Sequence, residues 1–305
     1  IVEEAARRKA REFDLPNALI GTDLASILEQ MPVDAVFNCT IPNAHYVVTM
    51  LALQHGCHVL SEKPLADTLE HAREMVAAAE QAGKIFAVIQ NRRYDLNMRR
   101  LRHFLASETL GPLTTVNSDF YVGPHFGGFR DHMKHVLLLD MAIHSFDAAR
   151  FLMGVDPVSV YCKEWNPAGS WFDHGASAIA TFEMTNGIIY SYRGSWCSNG
   201  LPTTWECDWR FACQVGTATW DGSNRFRAQK VKEPTGYTYP VEDVEIPPYA
   251  SDKVGGHAGL IHDFFRSIRQ GTQPETVASD NIKSLAMVLA AIESAEKGHP
   301  VDIHW

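Results

Sequence analysis

Between Asp34 and Ile89 the chain alternates between two periods, and no other feature constrains the fold as much. Asp34-Ala-Val-Phe-Asn-Cys39, His58–Ser61 and residues 85–89 are short, mostly apolar runs, as expected of strands covered on both faces. The stretches between them have helical spacing: residues 44–55, ended by Gly56, and residues 68–82, ended by Gly83. Strands that alternate with helices of this length connect through right-handed crossovers and lie parallel. The texture extends upstream. Ala18-Leu-Ile20 reads as a strand, Thr22-Asp23 as the cap of a helix carrying Leu24, Ile27 and Leu28, and residues 1–13 as the middle of a helix.

After Tyr94 the pattern changes. Helices are expected over residues 99–106 and 136–153, the second closed by Gly154, with a strand at Leu113–Tyr121. Five β stretches follow, at 158–165, 176–183, 187–196, 205–215 and 218–220, and then helices at 260–270 and 281–297. Thr185-Asn186-Gly187 is a hairpin signal between two of these strands. The expected fold class is therefore α/β: a parallel-sheet domain at residues 1–91, and an α+β domain with a large, mainly antiparallel sheet at residues 92–305.

Composition removes several function classes. A net charge of −9, from 36 acids and 27 bases, argues against a general nucleic-acid or anionic-membrane binder. No apolar run approaches the ~18 residues that span a bilayer. The six cysteines form no C-x-x-C pair and are too dispersed for a disulfide framework, which points to reduced thiols and a cytoplasmic setting.

Two segments carry chemistry. In His58-Val-Leu-Ser-Glu-Lys-Pro-Leu-Ala66, Lys63 ends a buried strand at the carboxyl edge of the sheet, where α/β proteins bind ligands. Pro64 restricts Lys63 to extended geometry and so aims its side chain. In Asp140-Met-Ala-Ile-His144 a carboxylate and an imidazole lie four residues apart on one expected helix face, so that Asp140 can hold one ring nitrogen of His144. An amine, an imidazole and a carboxylate suffice to move a proton to or from a hydroxyl. Thr40, Pro42, Asn43 and His45 occupy the turn after the strand ending at Cys39, and Gln90 and Arg92 lie at the next strand end. Arg130, His132, Lys134 and His135 precede the Asp140 helix, and Trp165 and Trp196 lie on sheet strands; each is a candidate ligand contact or a core or surface residue. Asp147 reads as a structural partner or surface acid.

Four segments in order, Thr40-Ile-Pro-Asn-Ala-His45, Ser61-Glu62-Lys63-Pro64-Leu65-Ala66, Gln90-Asn-Arg-Arg-Tyr94 and Asp140-x-x-x-His144-x-x-Asp147, resemble the Gfo/Idh/MocA (glucose–fructose oxidoreductase/inositol dehydrogenase) family over nearly the whole chain. Ile41 departs from the usual proline, and Leu138-Leu139 from the common glycines before the aspartate. The resemblance implies a Rossmann-type first domain, an NAD or NADP cofactor and a sugar or polyol substrate. It places Lys63 beside the nicotinamide and the reacting hydroxyl, with Asp140 and His144 as further catalytic residues. It lines the cofactor with Thr40, Pro42, Asn43, His45, Glu62, Lys63, Gln90 and Arg92. It also implies a homodimer or homotetramer packed through the C-terminal sheet.

No G-x-G-x-x-G turn follows any strand, although such a turn opens a dinucleotide-binding half. The expectation is an upstream βαβ-sized segment of roughly 30–40 residues that supplies it and the central strands. Two other function classes remain on the sequence alone: a dinucleotide-binding sensor without catalysis, and a metal-dependent sugar isomerase or lyase built on Asp140 and His144 with His132 or His135.

Overall fold

The computed structural model describes residues 2–305. Two helices, α1 (Glu3–Glu12) and α2 (Leu24–Gln30), precede three parallel strands, β1 (Ala35–Asn38), β2 (His58–Ser61) and β3 (Phe86–Val88), which pair in that order. The crossovers are α3 (His45–Gln54) and α4 (Leu69–Ala82). α4 begins where the Thr68 hydroxyl accepts the His71 N–H at 3.1 Å and ends at Gly83, whose φ of 62° suits a residue without Cβ.

Side chains alternate across this sheet with period two. Val59, Phe86 and Val88 pack with α3, α4 and the first turns of α8 (Ala278–Lys297), while Leu60 and Ala87 pack on Leu260 and Phe264 of α7 (His257–Gln270). Helices from the end of the chain thus cover both faces of strands from its first ninety residues. Among the described residues β1 pairs only with β2, so the sheet is open along its other side; Phe37 packs against Phe264 and Phe265 there and stays 40% exposed. The strand expected at Ala18-Leu-Ile20 does not form. No neighbouring strand among the described residues exchanges hydrogen bonds with it, and an apolar run without a ladder has nothing to hold it extended.

The second sheet has nine strands in the order β11-β10-β9-β8-β4-β7-β6-β5-β12. They are β4 (Leu113–Tyr121), β5 (Pro157–Trp165), β6 (Ser177–Met184), β7 (Ile189–Ser195), β8 (Asp208–Cys213), β9 (Gly216–Trp220), β10 (Phe226–Val231), β11 (Val241–Val244) and β12 (Val301–Asp302). Only β4 and β7 pair in parallel. The expected hairpin joins β6 to β7, with Asn186 and Gly187 both at positive φ, 64° and 71°, as a tight primed turn demands. One face of the sheet packs on α5 (Leu96–Ala106), α6 (Ile143–Met153) and α8, forming the largest core. β10 and β11 escape the sequence reading because Phe-Arg-Ala-Gln-Lys-Val and Val-Glu-Asp-Val are polar strands at a sheet edge, with too little apolar alternation to signal them.

Candidate active site

The carboxyl ends of β1, β2 and β3 present three loops side by side. After β1, the buried Asn38 side chain organises the turn: its amide donates to the His45 carbonyl and to Thr49 Oγ1, both at 3.1 Å, and its oxygen accepts from Thr40 Oγ1 at 2.6 Å. Pro42 begins a short 3₁₀ turn leading into α3, and Asn43 is exposed on it. His45 is fully buried, with Nδ1 2.8 Å from the Pro64 carbonyl and Nε2 3.0 Å from the Thr40 carbonyl. Both ring nitrogens are committed to backbone, so the cofactor contact expected of His45 gives way to fastening the β1 turn to the Lys63–Pro64 turn. That second turn contains a cis Lys63–Pro64 peptide bond, and Glu62 Oε2 accepts the Lys63 N–H at 3.2 Å.

From the end of β2, the Lys63 side chain reaches residues 77 positions away. Its Nζ donates to the Asp140 carbonyl at 2.7 Å and to Asp140 Oδ1 at 2.5 Å, while Arg130 Nε donates to Oδ2 at 2.7 Å. Burial opposes ionisation of Asp140, but the ammonium and the guanidinium outweigh it and hold the carboxyl below its usual range. With both oxygens engaged in this way, Asp140 does not hold the His144 ring; the expected i,i+4 pairing is absent, and His144 Nδ1 has no hydrogen-bond partner. The cause is competition from cations elsewhere in the chain. Leu137–Ala142 forms a π turn before α6 begins, and within it Asp140 turns to Lys63 and Arg130 rather than to the ring four residues on. Burial, then the charges of Arg92, Lys63 and His257, push the His144 imidazole well below its ordinary pKa, which leaves it neutral near pH 7.

At the end of β3 the Gln90 side chain is buried with neither amide atom hydrogen-bonded. Arg92, also buried, places Nε 3.1 Å from Glu206 Oε2. Glu206 and Asn38 are the site residues that sequence reasoning missed. Asn38 had a usable signal, a polar residue in a buried strand beside the Thr40 turn; Glu206 had none, because its neighbours come from another part of the chain. The remaining candidates disperse. His132 pairs with Asp173 at 2.6 Å and His135 with Glu164 at 2.6 Å, so the structure does not bring them to Asp140. Among the described residues, no group of three or more His, Cys, Asp or Glu side chains is placed to hold a metal. Trp196 is buried in the core, Trp165 is half-exposed on β5, and Asp147 is buried in an ion pair with Arg93.

The loops suit the nicotinamide–ribose half of a dinucleotide: hydroxyl and amide groups after β1, the Glu62 carboxylate after β2 and an unpartnered amide after β3, all at a sheet's carboxyl edge. No described residue is assigned to the diphosphate.

Residues 2–90 match the family model described as "Oxidoreductase family, NAD-binding Rossmann fold", and residues 98–218 match the "GFO/IDH/MocA C-terminal domain". An uncharacterized protein of Sinorhizobium fredii, y4oX, is 30% identical over 288 residues, covering 89% of this chain and 77% of its own length. The 1,5-anhydro-D-fructose reductase of Ensifer adhaerens is 27% identical over 93% of this chain and 85% of its own. An oxidoreductase from Agrobacterium radiobacter, solved with NAD+, L-tartaric acid and magnesium, has the same fold: TM-score 0.83 at 21% identity, over 99% of this chain and 89% of the other. With both halves matched in order, and with a relative of this identity and coverage, the chain belongs to the GFO/IDH/MocA family of nicotinamide-dependent oxidoreductases.

Proposed function

We propose that this chain moves hydride between NAD or NADP and a hydroxyl-bearing carbon of a sugar, polyol or sugar derivative, with Lys63, Asp140 and His144 as its catalytic residues. The observation that carries the reading is the bridge from Lys63, at the end of a parallel strand, to Asp140, beside a neutral His144 whose Nδ1 is unbonded. The relatives named as acting on sugars, including the anhydrofructose reductase, support the substrate class. When bound, the nicotinamide accepts or returns the hydride. This chain's residues handle the proton: His144 takes it from the hydroxyl, and the Lys63 ammonium stabilises negative charge on that oxygen. Asp140 fixes the ammonium in place. Thr40, Pro42, Asn43, Glu62, Gln90 and Arg92 line the cofactor side, and His45 acts on it through the turn.

The division near Asn91 follows this reading, with residues 1–91 carrying most of the cofactor contacts and residues 92–305 the substrate side. The six cysteines are all free, which supports a cytoplasmic setting. Tyr161, Trp165, Ile179 and Ile189 are each more than a third exposed on strands of the nine-stranded sheet, and this supports a homodimer or homotetramer packed through it. Light scattering at micromolar concentration should give a multiple of the chain mass; a monomeric mass would contradict the assembly. A panel of polyols and sugars, followed by the absorbance of reduced nicotinamide with the full-length protein, tests the activity. Cofactor binding without turnover of any member would favour the sensor reading.

A further inference from the structure

Three cations stand around this site: Lys63, Arg92 and Arg130. Each has a carboxylate beside it. Asp140 serves Lys63 and Arg130, and Glu206 serves Arg92. Glu62, whose carboxylate turns back to the Lys63 N–H, and Asp95, near Glu206, add further acids, and His144 adds no charge near pH 7. The pair formed by Arg92 and Glu206 differs from the others. Arg92 is buried and its Glu206 contact is poorly aligned, leaving Glu206 Oε2 without a proper hydrogen bond. Arg92 Nη1 also donates a long hydrogen bond to Ser145 Oγ at 3.5 Å.

The backbone holds Glu206 in this position. Its N–H donates to Thr204 Oγ1 at 3.2 Å, its carbonyl accepts from Trp209 Nε1 at 2.6 Å, and Cys207 follows at a φ of 68°. Beside it, Trp205 is half-exposed and lies 6.4 Å, centroid to centroid, from the exposed Phe126 ring. An apolar ring face and an uncharged polar edge can be met together here. An unpaired guanidinium would instead be a ready fork for a carboxylate or phosphate.

We propose that Glu206 determines the charge specificity of the cleft: by occupying Arg92 it excludes substrates bearing a carboxylate or phosphate at this corner and selects uncharged sugars or polyols. A ligand anion reaching Arg92 must displace Glu206 and leave that carboxylate partly buried beside a like charge. An uncharged hydroxyl can donate to the spare Glu206 oxygen without disturbing the pair. The inference rests on the reading of this cleft as the substrate site, with Arg92 standing where the cofactor side meets the substrate side.

The test uses the full-length protein loaded with oxidised nicotinamide cofactor and matched probes, D-glucose with D-glucuronate and D-galactose with D-galacturonate. Binding is read by calorimetry, separately from turnover. The wild type should favour the neutral member of a pair by about 100-fold. Glu206→Gln should narrow the ratio to roughly 10-fold or less by gaining uronate affinity, and Glu206→Asp should keep the preference. Equal binding of both members by the wild type, failure to bind any neutral probe, or an unchanged ratio in a folded Glu206→Gln variant would overturn the proposal. If that variant does not fold, the wild-type ratio and Glu206→Ala decide it. A neutral preference that shifts as stated, without turnover of any probe, would favour the sensor reading over the dehydrogenase and leave the charge filter standing.

Discussion

Asp140 and Asp147 lie seven residues apart, both at least mostly buried and both paired with arginine, yet their surroundings differ. Asp147 accepts from Arg93 at 2.8 and 2.6 Å, from Ser284 Oγ at 2.7 Å and from Asn281 Nδ2 at 3.4 Å. Those donors come from the β3 exit and α8, so the carboxylate ties the β3 exit, α6 and α8 together. Asp140 is held by Lys63 and Arg130 at a more open place, next to an imidazole nitrogen with no partner. A buried polar group left without partners is costly unless something else repays it. The filled network stabilises the fold; beside Asp140 the His144 Nδ1 is left free, as the proposed proton transfer needs.

The sharpest way to break this contrast is to truncate each carboxylate network in turn. Asp147→Ala leaves Arg93 buried with only Asp280 as counter-ion and should cost about 3–5 kcal/mol in a urea unfolding curve. A cost below about 1 kcal/mol would show that the network is not structural. Lys63→Ala should do the reverse. Its unfolding midpoint should stay close to the wild type, because Asp140 keeps Arg130, while kcat falls by about 10²-fold or more.

A smaller effect sharpens the structural half. Asp280 bridges Arg93 and Arg150; burial opposes its ionisation, but the two guanidinium groups win and hold its pKa at about 2, against 3.8 for the free side chain. Because the folded value is depressed, the stabilisation is present above the unfolded pKa and is lost as pH falls from about 4 towards 2. It amounts to at most about 2 kcal/mol, less the screening of a carboxylate one third exposed. Asp280→Asn should flatten the acid limb of stability against pH; a limb as steep as the wild type's would remove Asp280 from the account.

Most of the architecture was legible. β4 was expected at its observed limits, and the end of α4 was marked by Gly83 because a helix stop is local chemistry. Lys63 was legible because a strand end and a proline follow each other in the chain. Periodicity shows which face of a helix is apolar but not what covers it, so the docking of α7 on the first sheet was invisible. The same limit hid Glu206, whose partner lies more than a hundred residues away. The spacing of Asp140 and His144 misled because it says nothing of partners from elsewhere in the chain: Lys63, 77 residues away, and Arg130 take both carboxylate oxygens.

The central claim is that the cleft joining Lys63, Asp140 and His144 performs proton transfer coupled to hydride transfer. Its most direct test is the His144→Ala variant of the full-length protein, with single-turnover rate and cofactor affinity measured on the same sample. The account expects the rate to fall by about 10²-fold or more with cofactor binding unchanged. In the wild type, the acid limb of kcat/KM should lie below the ordinary imidazole value of 6.5, since burial and neighbouring charges keep the ring neutral. Normal turnover by the folded alanine variant would contradict the assignment outright.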